Sequence, residues 1–193
     1  MDENELILRC KKGDAESFSQ LIMPYEKKII NYAYRMLNDE SDAEDAAQEA
    51  LLKAWNKIDS FSGNSRFSTW LYTILNNVCL DILRKKKRTG EFSRVSINQS
   101  NTDDEEYEIQ IEDTSDGPFE QYRKKEAGKA LEKAISELPQ KYKEVILMRD
   151  IEGLEYDEIA KVINASLGTV KSRISRGRGA LRKILEENRE LFM

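Results

Sequence analysis

The sequence predicts an all-α protein made of two small helical domains joined by an acidic linker. Apolar residues recur at three- and four-residue intervals through most of the chain, which places them on one face of a helix. Glycine and proline are scarce, with 9 and 3 among 193 residues, and no segment has the alternation typical of a half-buried strand. Residues 95–120 carry nine acidic side chains and no basic one. A segment of this composition buries too little apolar surface to fold alone, so we predict domains at 1–90 and 119–193 and a linker at 91–118.

The first domain is predicted to begin with a short helix over 3–12. The periodic stretch 15–37 contains Pro24, which predicts either a kink or two abutting helices. Ser41, followed three residues later by Glu44, predicts a capping box at the start of the next helix. A polar loop at 60–65 precedes a last helix, which starts near Phe67 and extends into the basic run 84–88.

The second domain is predicted to contain a helix-turn-helix motif. Its two last helices, 156–163 and 167–187, are separated by three residues, of which Asn164 tolerates a tight turn and Ser166 is a good N-cap. A helix in the DNA major groove presents its first turns to base edges and its cations to phosphates. The last helix has polar residues in its first turns and several basic residues, as such a helix needs. A solvated helix with extended basic side chains is the alternative interpretation.

Composition and charge exclude several classes of function. The chain has no histidine, which removes the commonest general base and metal ligand, and its two cysteines lack the spacing of a zinc site or disulfide scaffold. We therefore predict no cofactor. The net charge of −5 conceals basic segments at 61–94 and 171–193, with net charges of +5 and +4. A phosphate group is attracted by the local electrostatic potential of a basic segment. The negative net charge of the whole chain therefore does not argue against nucleic-acid binding.

A cytoplasmic protein without membrane contact is expected. No run of about 18 apolar residues is present, and the first ten residues are acidic where a signal peptide would be basic.

A second candidate nucleic-acid surface lies upstream of the basic run 84–88. Trp70, Thr73 and Asn77 share one helix face at three- and four-residue spacing. Aromatic and amide groups beside a cationic track suit stacking and hydrogen bonding with single-stranded bases. Trp70 is equally compatible with a place in the core.

Three segments in order resemble bacterial RNA polymerase sigma factors of the extracytoplasmic function (ECF) group of the sigma-70 family. They are YRMLNDESDAEDAAQEALLKAWNKIDSF, then RFSTWLYTILNNVCLDILRKKKR, then ELPQKYKEVILMRDIEGLEYDEIAKVINASLGTVKSRISRGRGALRKIL. The match covers nearly the whole chain apart from the linker. The resemblance implies a sigma region two helical bundle and a sigma region four helix-turn-helix domain.

The resemblance also implies roles for particular residues. The face that docks on the beta prime clamp helices of core polymerase corresponds to Asp42, Glu44, Asp45, Gln48 and Glu49. The segment that opens and reads the minus-10 element, with a loop that captures a flipped base, corresponds to Ser62, Gly63, Asn64, Trp70, Thr73, Asn77, Arg84, Lys85, Lys86 and Lys87. The minus-35 contacts correspond to Arg149, Thr169, Lys171, Ser172, Ser175, Arg176 and Arg178. Lys171 stands where arginine is frequent in the family and Ser175 where a bulkier side chain is frequent, so the minus-35 preference is left open.

The implied partners are core polymerase, through the clamp helices and the beta flap, promoter DNA, and a membrane-bound anti-sigma factor. The free chain is expected to be a monomer, and its linker is expected to thread the RNA exit path. A self-sufficient helix-turn-helix regulator is the alternative, and such a protein binds duplex operator DNA without polymerase, commonly as a dimer. An enzyme that acts through the acidic stretches is a third interpretation, but no paired base or metal cage supports it.

Overall fold

In the computed structural model, which describes residues 2–90 and 118–187, every element is helical. The first group contains α1 (Glu3–Cys10), α2 (Ala15–Ile22), α3 (Glu26–Leu37), α4 (Glu40–Lys57), a 3-10 turn (Ile58–Ser60) and α5 (Phe67–Thr89). The second group contains α6 (Pro118–Ser136), α7 (Gln140–Ile146), a π-helical turn (Leu147–Ile151), α8 (Tyr156–Val162) and α9 (Leu167–Glu187). The predicted linker lies outside the described residues, apart from its last position.

Local signals account for most of the helix ends. Pro24 separates α2 from α3, so the stretch around it is two abutting helices. Asn38 ends α3 in the left-handed conformation, with φ of 55°. The capping box predicted at Ser41 and Glu44 is wrong, because α4 begins earlier: Asp39 adopts the extended N-cap conformation and its side chain accepts a hydrogen bond from the Asp42 backbone N–H at 2.9 Å.

The first group packs around α3, α4 and α5. The buried side of α4 consists of alanines, each at most 3 % exposed: Ala43, Ala46, Ala47, Ala50 and Ala54. Small side chains let the neighbouring helices approach closely, while Tyr32 and Phe67, both fully buried, fill the space between them. The acidic residues of α4 are thereby directed to its outer side.

The second group contains the predicted helix-turn-helix. Asn164 has φ of 48°, and Ser166 Oγ accepts a hydrogen bond from the Thr169 backbone N–H at 3.2 Å, so the short turn and the N-cap are confirmed. Helix α7 ends at Ile146, and the chain continues as the π-helical turn. Gly177 of α9 lies directly against α7: a Cβ there would be 2.9 Å from Ile146 Cγ1.

The two groups also pack on each other. Helix α8 lies against α5, and α6 and α7 contact α3. The sequence carried no prediction of this contact, which brings the helix-turn-helix against the helix predicted to read the minus-10 element.

Candidate nucleic-acid interface

The first turns of α9 form a polar and cationic surface. Val170 and Ile174 are buried against the rest of the second group, so the opposite side of the helix faces solvent. The residues on that side, all exposed, are Lys171, Ser172, Ser175 and Arg176. Thr169 is half-buried, and its hydroxyl shares a hydrogen bond with Ser166 Oγ at 2.9 Å. This arrangement has the shape and charge that a helix needs to enter a DNA groove.

Two of the predicted minus-35 arginines are held by the protein itself. Arg149 donates to the Leu154 carbonyl at 2.8 Å, pairs with Glu155 at 3.0 Å and lies over the ring of Tyr156. Arg178 binds both carboxylate oxygens of Asp150, a hydrogen-bonded pair that raises the pKa of Arg178. These pairs brace the start of α8 and the middle of α9 against the π-helical turn.

The loop before α5 is anchored at a cluster of three aromatic side chains, Phe61, Phe67 and Trp70. Phe61 packs edge-on against Phe67, and Trp70 lies 5.3 Å from Phe61 and 5.7 Å from Phe67 between ring centroids. Lys11 Nζ donates to the Phe61 carbonyl at 2.6 Å and so fixes the loop to the end of α1. Beyond this anchor Ser62, Gly63 and Asn64 are exposed, with Gly63 at φ of 76°, a conformation that favours glycine.

The predicted minus-10 face of α5 is reached by solvent to different degrees. Trp70 is half-buried, so it packs in the aromatic cluster and also keeps part of its ring accessible to solvent. Thr73 is half-buried and its hydroxyl donates to the Thr69 carbonyl at 2.8 Å. Asn77 is exposed, whereas its neighbour Asn76 is buried and accepts a hydrogen bond from the Tyr32 hydroxyl at 2.9 Å.

The cations at the basic end of α5 differ in exposure and in their contacts. Lys85 and Lys87 are exposed, while Arg84 pairs with Asp81 of its own helix at 2.6 Å. Lys86 is only 18 % exposed at its side chain and pairs with Asp42 of α4. One residue predicted to bind DNA and one predicted to bind polymerase therefore bind each other.

The outer side of α4 presents the rest of the predicted polymerase-binding set. Glu44, Asp45 and Gln48 are exposed, and Glu49, also exposed, pairs with Lys53 one turn later at 2.6 Å. Leu52 lies four residues after Gln48 and is 64 % exposed, an apolar addition to this acidic side. Sequence reasoning missed Leu52, although two adjacent leucines on one helix cannot both enter its buried stripe.

Lys11 and Gly177 were also missed. Neither carries a local pattern, since the partners of these residues are 50 and 31 positions away. Among the described side chains no group of three or more histidine, cysteine or carboxylate residues could hold a metal ion. Within the described ranges, no helix combines the length and apolarity needed to cross a membrane.

Comparisons with known families match both halves of the chain. The family model for sigma-70 region 2 matches residues 21–89, and that for sigma-70 region 4 matches residues 128–181. The chain is 39% identical over 183 residues to the ECF RNA polymerase sigma factor SigW of Bacillus subtilis, covering 94% of this chain and 95% of the relative. It is 32% identical to the ECF RNA polymerase sigma-E factor of Escherichia coli, over 94% and 93% of the two chains.

Solved structures show the same arrangement of helices. The sigma factor RpoE of Bartonella quintana, solved with the anti-sigma factor NepR, superposes with a TM-score of 0.69 at 27% identity, covering 89% of this chain and 98% of the other. CnrH, solved with the cytosolic domain of CnrY, has a TM-score of 0.68 at 22% identity over 97% and 99% of the two chains, a likeness of fold. With both regions matched in order and relatives aligned over nearly its whole length, the chain belongs to the ECF group of the sigma-70 family of RNA polymerase sigma factors.

Proposed function

We propose that this chain binds core RNA polymerase and directs it to promoters with a minus-35 and a minus-10 element. The observation that carries the proposal is the exposed polar and cationic side of α9, whose opposite side is buried by Val170 and Ile174. The chain that carries this surface aligns with sigma factors over almost their whole length. Arg176 and Lys171 supply the hydrogen-bond donors and charge that base edges and phosphates require.

The first domain supplies the melting and anchoring surfaces. Bases of the separated strand stack on the accessible edge of Trp70 and meet Asn77, while the loop with Ser62, Gly63 and Asn64 holds a base taken out of the duplex. Extraction of a base costs a few kcal/mol, so the loop needs a fixed shape, which its anchor to Lys11 supports. The exposed carboxylates of α4 complement a basic partner, for which we infer the clamp of core polymerase.

The chain performs no reaction of its own in this proposal. It acts in the cytoplasm, where core polymerase and promoter DNA are, and it is sequestered by an anti-sigma factor until it is needed. A solved relative with a similar fold is bound to an anti-sigma factor, which supports this partner class.

The deciding experiment adds the purified chain to core polymerase in transcription and gel-shift assays. We expect specific run-off transcripts only when both proteins are present, and weak duplex binding by the chain alone. A matched variant, Glu44→Lys with Asp45→Lys, is expected to reduce core affinity at least tenfold. Tight, dimeric binding to duplex DNA without core would instead support a self-sufficient regulator.

A further inference from the structure

Helix α1 reaches the loop before α5 through the side chain that follows it. Lys11 Nζ donates to the Phe61 carbonyl at 2.6 Å, across 50 positions of the sequence. This carbonyl belongs to the peptide bond that leads into Ser62, the first exposed residue of the loop 62–65. The contact therefore holds the loop at the point where it leaves the packed part of the first domain.

Lys11 is itself fixed in the structure. It is the C-cap of α1, its backbone N–H donates to the Ile7 carbonyl at 3.1 Å, and the chain then turns at Gly13, with φ of 84°. Asp14 caps the next helix, because its side chain accepts from two backbone N–H groups of the first turn of α2. The backbone of Lys11 thus lies in a short turn between two helix ends, so the anchor has a defined origin.

The opposite end of α1 supports the same loop indirectly. Glu3 Oε2 accepts a hydrogen bond from the Tyr25 hydroxyl at 3.0 Å, and the Tyr25 ring lies 5.8 Å from the ring of Phe67 between centroids. Phe67 belongs to the aromatic cluster on which the loop is anchored. The buried side of α1 between these two ends consists of Leu6, Ile7 and Cys10. Helix α1 is therefore packed against the first domain and contacts the base of the loop from both ends.

A lysine at the end of a helix commonly has a simpler role, in which its cation interacts with the last carbonyls of its own helix. Lys12 and Lys11 differ in this respect. Lys12 is exposed, whereas Lys11 is half-buried and its ammonium group binds a carbonyl of a distant segment. A hydrogen bond from a charged donor is about twice as strong as one between neutral groups. The contact made by Lys11 is thus specific to its position and does not follow from its charge alone.

The far end of the loop is fixed by α5. Arg66 is the N-cap of α5, and its carbonyl accepts from the Trp70 backbone N–H at 3.2 Å. With the Lys11 contact at one end and α5 at the other, the exposed residues of the loop are held across a short span. Release of one end gives the loop more conformations, of which only a fraction can hold an extruded base. Apparent affinity for that base then decreases by the same fraction.

We propose that Lys11 is a positioning residue for promoter opening, because it holds the loop 62–65 in the shape that receives an extruded minus-10 base. The inference rests on the proposed function, since it requires this loop to hold a base. It gives α1 a part in DNA opening, although α1 lies before residue 21, where the match to sigma-70 region 2 begins.

Three substitutions form the test. Lys11→Met removes the donor and keeps an unbranched side chain, and Lys11→Arg retains a cationic donor. Lys12→Met is the matched control, because it removes the same charge at the exposed neighbouring position. Circular dichroism verifies that all variants retain their helix content.

The first readout is the mobility of a spin label attached at Asn64→Cys in the free full chain. The label is directed to this exposed position because Cys10 and Cys79 are both buried. We expect slow label motion in the parent chain and in Lys12→Met, faster motion in Lys11→Met, and a return toward the parent spectrum in Lys11→Arg. The same spectrum for Lys11→Met and Lys12→Met would overturn the proposal.

The second readout is promoter binding by the complex of each variant with core polymerase. The probe is a DNA fragment that the parent complex transcribes, and each base of its minus-10 element is removed in turn. The position whose removal weakens binding by the parent complex most is taken as the extruded base. Lys11→Met is expected to bind the intact fragment about tenfold more weakly than Lys12→Met does, with recovery in Lys11→Arg. Equal binding of the intact fragment by the two methionine variants would contradict a positioning role.

The fragment without the extruded base separates positioning from general stabilisation. Since the loop then has no base to hold, Lys11→Met and Lys12→Met should bind this fragment equally, and the difference between the two fragments measures the coupling. The same tenfold loss on both fragments would overturn the proposal, because it would assign Lys11 to phosphate binding or to stability. If no complex transcribes any fragment, the proposed function fails, while the spin label still decides whether Lys11 fixes the loop.

Discussion

Asn76 and Asn77 show how strongly one position along a helix changes the role of a residue. Asn76 lies in the interior between Tyr32 and Glu144, whereas Asn77 is exposed beside Trp70 and Thr73. A rotation of about 100° between successive helical residues separates the two environments. The same amide group is therefore structural at one position and available for a base at the next.

Substitution of the two asparagines is expected to separate stability from function. Asn77→Ala should change the free energy of unfolding by less than about 0.5 kcal/mol and impair promoter opening, measured by permanganate reactivity of unpaired thymines. Asn76→Ala should cost about 1 to 3 kcal/mol in urea unfolding, because it leaves the buried Tyr32 hydroxyl without its acceptor and removes one of the hydrogen bonds to Glu144. Loss of core affinity in Asn77→Ala would mean that this face of α5 is not the DNA-reading face.

Arg173 and Arg176 form a second contrasting pair. Arg173 turns inward and binds Glu144 at 3.0 Å, while Arg176 is exposed among the predicted minus-35 residues. We take Arg176 to contact a base of the minus-35 element. Arg176→Ala is then expected to cost about 1 to 3 kcal/mol of binding free energy between a minus-35 duplex and the complex of polymerase with this chain.

The control for Arg176 is Arg173→Ala, which should lower thermal stability, since it leaves the buried Glu144 without its cation. Duplexes with a scrambled minus-35 element distinguish the role of Arg176. An equal loss on the native and scrambled duplexes would assign Arg176 to phosphate binding.

At the scale of elements, the position of α9 depends on its close approach to α7. Gly177 is buried, and a Cβ there would lie 2.9 Å from Ile146 Cγ1, 3.2 Å from Ile146 Cδ1 and 3.3 Å from Tyr142 Cβ. Gly179, two residues later, faces open space. The contact at Gly177 therefore sets the distance between the recognition helix and the helix that supports it.

Alanine at the two glycines is expected to have opposite effects. Gly177→Ala should destabilise the second domain by about 1 to 3 kcal/mol, since the added methyl group displaces α7 or Ile146. Gly179→Ala should stabilise the chain by about 0.5 to 1 kcal/mol, as alanine loses less backbone entropy in a helix. Thermal unfolding of both variants provides the comparison, and a stable Gly177→Ala protein would show that the helices can separate without cost.

At the scale of the whole molecule, Lys143 links stability to pH. Burial lowers its pKa to about 8 from the ordinary 10.5, and its Nζ donates to the Ser136 carbonyl at 2.9 Å. Between these two pH values the unfolded chain binds the proton and the folded chain does not, so this lysine makes the free energy of unfolding increase with pH. Below pH 8 the cost of a buried charge is fully present.

Lys143→Met is therefore expected to stabilise the protein more at pH 7 than at pH 9.5. We expect a gain of about 1 to 3 kcal/mol at pH 7 in urea unfolding, and a smaller gain at the higher pH. The exposed neighbour Lys141 provides the control, as Lys141→Met should give nearly the same small change at both values. An equal effect of Lys143→Met at the two pH values would contradict a lowered pKa.

Helix periodicity, the break at Pro24, the tight turn at Asn164 and the N-cap at Ser166 could all be predicted from the sequence. Each depends on interactions within about four residues, so the local order of residues determines it. The misplaced start of α4 shows the limit of such signals, because Asp39 and Ser41 are both competent caps and only the packed helix decides between them.

The acidic face of α4 and the polar face of α9 could also be predicted, since an amphipathic helix separates its buried and exposed residues by spacing alone. The pairing of Lys86 with Asp42, the loop anchor at Lys11 and the hydrogen bond from Thr69 of α5 to Glu158 of α8 could not. Their partners are between 44 and 89 positions apart, and only the folded chain brings them within hydrogen-bond distance. Local sequence thus determines which residues form the exposed surfaces of this protein. The contacts that hold these surfaces in position form only when long-range packing brings distant residues together.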